Sequence, residues 1–115
     1  MDRLARAFPV IPGKIAAMRS FAREVRSRSA DADAFYTRYG ITRETWHLQE
    51  RPGGVLVICC TDIKNVDPAA AAYAAATTPF ESWFKRQVLE VCGIDADKEP
   101  KGPPSELILD WPLAP

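Results

Sequence analysis

Ile41-Thr-Arg-Glu-Thr-Trp-His-Leu-Gln-Glu50, Arg51-Pro-Gly-Gly54 and Val55-Leu-Val-Ile-Cys-Cys60 decide how this chain folds. In the first stretch Trp46 and Leu48 fall on one parity and Arg43, Thr45, His47 and Gln49 on the other, the period-two mark of a strand. Pro52-Gly53-Gly54 is a tight-turn signal. The third stretch is apolar on both parities, and a strand of that kind needs cover on both faces. An even-length hairpin loop puts Trp46 and Leu48 on one face with Val55, Val57 and Cys59, which is the better face for helices. Thr45 and His47 then share the other face with Leu56, Ile58 and Cys60. That face also carries Arg43, a mixture suited to a lined cavity rather than a dry core.

Upstream of the hairpin, residues 3–10 read as a strand, and Pro9, which has no N–H to donate, belongs at an edge or a strand end. Pro12-Gly13 breaks the chain. From Lys14 the residues Ile15, Met18, Phe21, Val25, Ala32, Phe35 and Tyr39 recur at helical spacing, and Gly40 supplies the stop. One continuous helix from Lys14 to Tyr39 would be about 39 Å long against about 27 Å for an eight-residue strand. Overhang or a kink is therefore predicted, with Ser27–Asp31 the weakest stretch.

Downstream, Asp67-Pro68 reads as an N-cap with proline at the first helical position, opening an alanine-rich helix from Ala69 to about Ala76. Thr78-Pro-Phe-Glu81 is a capping box. The helix it opens carries Phe80, Trp83, Phe84, Val88 and Val91 on one side and stops at Gly93. A Pro- and charge-rich connector, residues 95–104, leads to a last expected strand, Glu106-Leu-Ile-Leu-Asp-Trp111, ended by Pro112.

The expected order is β-α-β-β-α-β, with the second helical region split in two. This is an α+β, ferredoxin-like arrangement, a four-stranded antiparallel sheet with helices on one face, forming a single domain over residues 1–115. One sheet face is left bare. Stacking two such faces in a homodimer would cover both and enclose a space between them.

Composition sets the outer limits. The 115 residues hold 15 Lys plus Arg and 15 Asp plus Glu, ordinary globular usage that argues against a general nucleic-acid coat. The balance is uneven along the chain: residues 1–40 carry +4 and residues 41–115 carry −4, so close contacts between the two halves are expected. Three cysteines and one histidine without Cys-x-x-Cys spacing are too few for a closed zinc site or a disulfide framework, so no metal and no cofactor are expected. Adjacent Cys59 and Cys60 point to opposite faces of a strand and are poorly placed to bridge. Charges in Met1–Arg6, where a signal peptide needs its apolar run, and the lack of a membrane-length apolar stretch suggest a cytoplasmic protein.

With this order of elements, the chain from Ala7-Phe-Pro-Val-Ile-Pro-Gly-Lys14 to Leu109-Asp-Trp111 resembles the dimeric α+β barrel superfamily. That group includes antibiotic-biosynthesis-type monooxygenases, muconolactone-isomerase-like proteins and haem-degrading monooxygenases. Gly40-Ile-Thr-Arg-Glu-Thr-Trp-His-Leu-Gln-Glu50 and Pro79-Phe-Glu-Ser-Trp-Phe-Lys-Arg-Gln-Val-Leu-Glu-Val91 look like the signature stretches of a small bacterial family of unassigned function. A haem-degrading member would be expected to offer a helix histidine with an asparagine and a tryptophan nearby. Here His47 is read on a strand and Asn65 in a loop. A cofactor-independent monooxygenase would leave oxygen chemistry to an electron-rich substrate, so the resemblance implies only a shaped cavity and a proton acceptor. It implies an aromatic or polyketide-like substrate for oxidation or isomerisation, without metal or flavin.

His47 is the candidate proton acceptor, since its side chain titrates near neutrality; a histidine filling a strand face or a dimer contact is the plainer reading. Arg43 could hold an oxygen anion through its planar fork or pair with an acid. Cys60, with Thr45, would line the same space, as a nucleophile only if positive charge lowered its pKa, otherwise as a small apolar residue. A non-catalytic dimeric module, with this face packed dry, is the alternative. No nucleophile-elbow or phosphate-loop glycine pattern is present.

Overall fold

The computed structural model describes residues 1–112. β1 (Asp2–Val10) leads into α1 (Ile15–Ser27) and α2 (Ser29–Arg38), followed by the hairpin β2 (Ile41–Arg51) and β3 (Gly54–Ile63), then α3 (Val66–Ala75) and α4 (Pro79–Cys92). The sheet is antiparallel with order β1-β3-β2, so β3 is central and Pro9 lies on an edge strand. Among the described residues no helix is long and apolar enough to cross a membrane.

The long helical stretch breaks where its apolar stripe lapses. Arg28 leaves helical geometry at φ −89°, ψ 52°, splitting α1 from α2. Gly40, at φ +69°, then turns the chain into β2, a conformation that side chains with a Cβ resist. α4 starts where its cap demands: the Glu81 backbone N–H donates to Thr78 Oγ1 at 3.3 Å, Pro79 occupies the first turn, and Gly93 at φ +71° ends the helix. Only half of the capping box forms, because the Glu81 carboxylate accepts from Arg38 and Tyr39 instead of returning to the Thr78 backbone. α3 begins earlier than its sequence suggests. Asn65 precedes it, while Asp67 lies inside the first turn and its carboxylate meets Lys101 Nζ at 2.6 Å. Lys85 of α4 reaches across to donate to the Tyr73, Ala74 and Ala76 carbonyls, satisfying the end of α3.

The expected face assignment holds. Val57, Cys59, Thr61 and Ile63 of β3 are buried toward the helices, while Leu56, Ile58, Cys60 and Asp62 are only half covered on the other side. Trp46 pairs with Cys59 and Leu48 with Val57 on the helix face; Thr45 pairs with Cys60 and His47 with Ile58 on the open one. A bulge at Thr42 resets the alternation, so that Ile41 and Glu44, three residues apart, both turn inward. The core is largely aromatic, with Phe35 and Phe84 ring centroids 4.8 Å apart, Phe21 and Phe84 5.0 Å, and Phe21 and Trp46 5.1 Å. Offset and edge-on rings of this kind add to what their area burial contributes.

The fourth strand expected at Glu106–Trp111 is absent from the sheet, which has three strands. The segment forms no ladder with β1, and Leu107, Ile108, Leu109 and Trp111 are all more than two-thirds exposed. Its entry explains this. Pro103 and Pro104 have no N–H for a ladder, and the Ser105 hydroxyl, rather than a backbone donor, takes the outward-pointing Ala5 carbonyl. The charge asymmetry is resolved at close range, as expected: Arg3 pairs with Asp62, Arg6 with Glu44, Arg19 with Glu50 and Arg38 with Glu81.

Candidate functional site

Each strand of the sheet sends one polar side chain into the helix-covered side. Arg6 lies between Leu4 and Phe8 on β1, Glu44 precedes Trp46 on β2, and Thr61 follows Cys59 on β3; rung by rung, Arg6 faces Cys59 and Glu44 faces Thr61. These groups meet. Thr61 Oγ1 donates to Glu44 Oε1 at 2.6 Å, Tyr36 of α2 donates to Oε2 at 2.7 Å, and Trp46 Nε1 donates to Oε2 at 3.0 Å. Arg6 Nη2 donates to Thr61 Oγ1 and to Cys59 Sγ, and stands 3.6 Å from Glu44 Oε1. Both ends of this ion pair are almost nine-tenths buried. Arg6 Nη1 donates outward to the Lys101 carbonyl at 3.2 Å, while Arg6 Nε is buried with no acceptor among the described residues.

Next to this centre lies a cavity of about 120 Å³ between the sheet and the helices. Its walls are mostly apolar, including Phe21, Phe35, Trp46 and Phe84, and its roof is α3 through Ala69 and Ala70. The cavity has a local cause. An alanine-rich helix laid over a sheet leaves volume that larger side chains would fill. Pro100 and Lys101 line it as well.

The protonation behaviour of the site suits binding better than proton transfer. Burial pushes the Cys59 thiol up to about 12, so beside Arg6 it remains a thiol and not a nucleophile. Burial and the Glu44 carboxylate raise Tyr36 far above the usual phenol range, and burial does the same to Tyr73. The Glu44 carboxylate already accepts from three donors, Thr61, Tyr36 and Trp46, which uses most of the lone pairs a general base would need.

Arg43, Thr45, His47 and Cys60 are brought together, on the open face: Arg43 and His47 are exposed, Thr45 and Cys60 half-buried. Arg43 lies opposite Asp62, and none of the four lines the cavity between sheet and helices. The Arg6–Glu44–Thr61 centre was not among the residues singled out from sequence. Its signal is there to read: a polar residue on the inward parity of every strand. Among the described residues no group of three His, Cys, Asp or Glu is placed to hold a metal ion. The chain matches no protein-family model, no curated protein and no solved structure.

Proposed function

We propose that the protein binds a small, uncharged, mostly apolar molecule in the cavity between sheet and helices. The observation that carries this reading is an aromatic-walled space beside one organised polar centre, the usual composition of a ligand site. Size points to a single-ring compound, since a dry cavity of roughly 150 Å³ accommodates benzene. Charge points to a neutral one. Arg6 and Glu44 already balance each other, and a charged ligand would be desolvated with no counter-charge.

The test is thermal denaturation with acetophenone as the probe. Saturating ligand should raise the wild-type melting temperature, because a ligand selective for the fold stabilises it by mass action. Ala70→Leu, which fills the cavity roof, should keep the fold and lose that response. An equal rise in Ala70→Leu sinks the cavity assignment.

A second reading is favoured by the helix-free face of the central strand, where Leu56, Ile58 and Cys60 are not fully buried. In it two copies stack their open faces as a dimeric α+β barrel, in the cytoplasm, and the completed ferredoxin-like sheet gains its fourth strand on association. Arg43, Thr45, His47 and Cys60 would then border a shared space for an aromatic or polyketide-like substrate. There His47 would move the proton and Arg43 would orient an oxygen anion in oxidation or isomerisation.

A further inference from the structure

We propose that residues 99–102 form a strap that gates the cavity, latched across its mouth by the Lys101–Asp67 ion pair and held on the other side by Arg6. This rests on the ligand-binding reading and adds to it the route by which a molecule enters.

The position of the mouth follows from exposure. Of the described residues that line the cavity, Glu99 and Lys101 are the two exposed to solvent, and all the others are buried or half-buried. Solvent therefore meets the cavity wall at the strap. The strap bridges two elements: Lys101 Nζ lies 2.6 Å from Asp67 Oδ1 in the first turn of α3, and the Lys101 carbonyl accepts from Arg6 Nη1 of β1 at 3.2 Å. Gly102, at φ +75°, rests against the Phe8 ring so closely that a Cβ there would overlap it.

These attachments are few, and the strap is otherwise held only by its own turns. The Glu99 N–H donates to the Asp95 carbonyl at 2.8 Å and the Gly102 N–H to the Glu99 carbonyl at 3.0 Å. The Lys101 and Asp67 side chains are 52 and 84% exposed, and an ion pair in water contributes little. A segment fixed this lightly opens at the low end of the local free-energy range while the core stays closed. The element facing it is fixed unequally too. The C-terminal end of α3 is tied down by Lys85 on three carbonyls and by the Tyr73 ring, 5.8 Å from those of Phe35 and Tyr39. Its N-terminal end has no side-chain cap from Asn65, and the helix has no fully buried residue. The latch thus joins the strap to the looser end of the roof, and parting it uncovers the cavity.

Arg6 connects the gate to the polar centre. One guanidinium nitrogen holds the strap, while the other donates inward to Thr61 and Cys59. A closed strap therefore excludes water from the side of the site that faces solvent.

Alkylation of the Cys59 thiol by iodoacetamide tests this on the full-length chain without ligand, because Cys59 is buried and lines the cavity. Mass spectrometry locates the label, and amide hydrogen exchange of β3 is followed in parallel. Lys101→Met and Asp67→Asn should each label Cys59 about two- to fivefold faster than wild type, as expected for loss of an exposed pair. The double variant should be no faster than either single one, since both break the same contact. Gly102→Ala should be about tenfold faster, because alanine resists a positive φ and its Cβ displaces the strap from Phe8. Exchange at the Val57 and Cys59 amides should stay at the wild-type rate throughout. Equal labelling in all the proteins overturns the gate, and so does labelling that rises in step with amide exchange, which means the whole fold is opening. Acetophenone added to the wild type separates the two proposals: protection of Cys59 supports both, whereas a latch response without protection keeps the gate and discards the ligand.

Discussion

The two faces of this sheet carry inverted chemistry. On the side covered by four helices, Arg6, Glu44 and Thr61 form a paired polar centre in the protein interior, with Tyr36 and Trp46 donating into it. On the side with no helices, the central strand presents Leu56, Ile58 and Cys60. A sheet stabilised only by its own helices would have these the other way round. Burying an ion pair costs more than burying leucine, and a buried pair is weak evidence for stability. A polar centre kept inside at that cost is what the proposed ligand site would explain.

Breaking the inner centre should have the largest effect. Glu44→Ala leaves the Arg6 guanidinium buried without its counter-charge, and the free energy of unfolding in urea should fall by about 3–5 kcal/mol. The double replacement Arg6→Met/Glu44→Leu should cost less than Glu44→Ala alone, since it removes both charges and keeps the volume. A double variant as damaged as the single one would mean the centre holds the fold together rather than serving a site.

Neighbouring residues on opposite faces sharpen the contrast. Trp46→Ala should cost about 3 kcal/mol or more by emptying a core position, whereas His47→Ala, one residue along and exposed, should stay within about 0.5 kcal/mol in the monomer. Chemical denaturation at a dilution below any dimerisation reads both. Similar losses for the two would contradict the face assignment.

Alkaline pH probes the inner face through its thiols. Burial holds Cys59 at about 12 and Cys92 at about 11 in the fold, while a thiol in the unfolded chain ionises near about 8.5. The unfolded state thus releases these protons first, so stability is full below about pH 8.5 and declines as pH rises toward 11–12. Cys59→Ala should flatten that decline; an unchanged slope would place the thiol in water. A small effect is also expected at the rim, where Arg28 stacks over Trp83 at 4.2 Å. Arg28→Ala should cost only about 0.5–1 kcal/mol.

Much of the fold was legible because it rests on local rules. Period-two alternation gave β2, a run apolar on both parities after the Arg51–Gly54 turn gave β3, the even-length turn gave their faces, the lapse at Ser27–Asp31 gave the break between α1 and α2, and Thr78 with Gly93 gave both ends of α4. The fourth strand was not legible. Glu106–Trp111 has strand periodicity, but periodicity reports which side chains need cover and says nothing of whether the cover lies in the same chain. The inner centre was hidden for a related reason. Arg6, Glu44 and Thr61 each sit on an inward parity, yet they meet only because β3 runs between β1 and β2, a pairing of residues more than fifteen positions apart that no local pattern encodes.

Titration of ¹⁵N-labelled protein with acetophenone, following the indole N–H of Trp46 and the amides of both sheet faces, tests ligand binding in the inner cavity most directly. The account predicts saturable shifts at Trp46 and at Thr61, with His47 and Cys60 unmoved. Shifts confined to His47 and Cys60, with Trp46 silent, would contradict it.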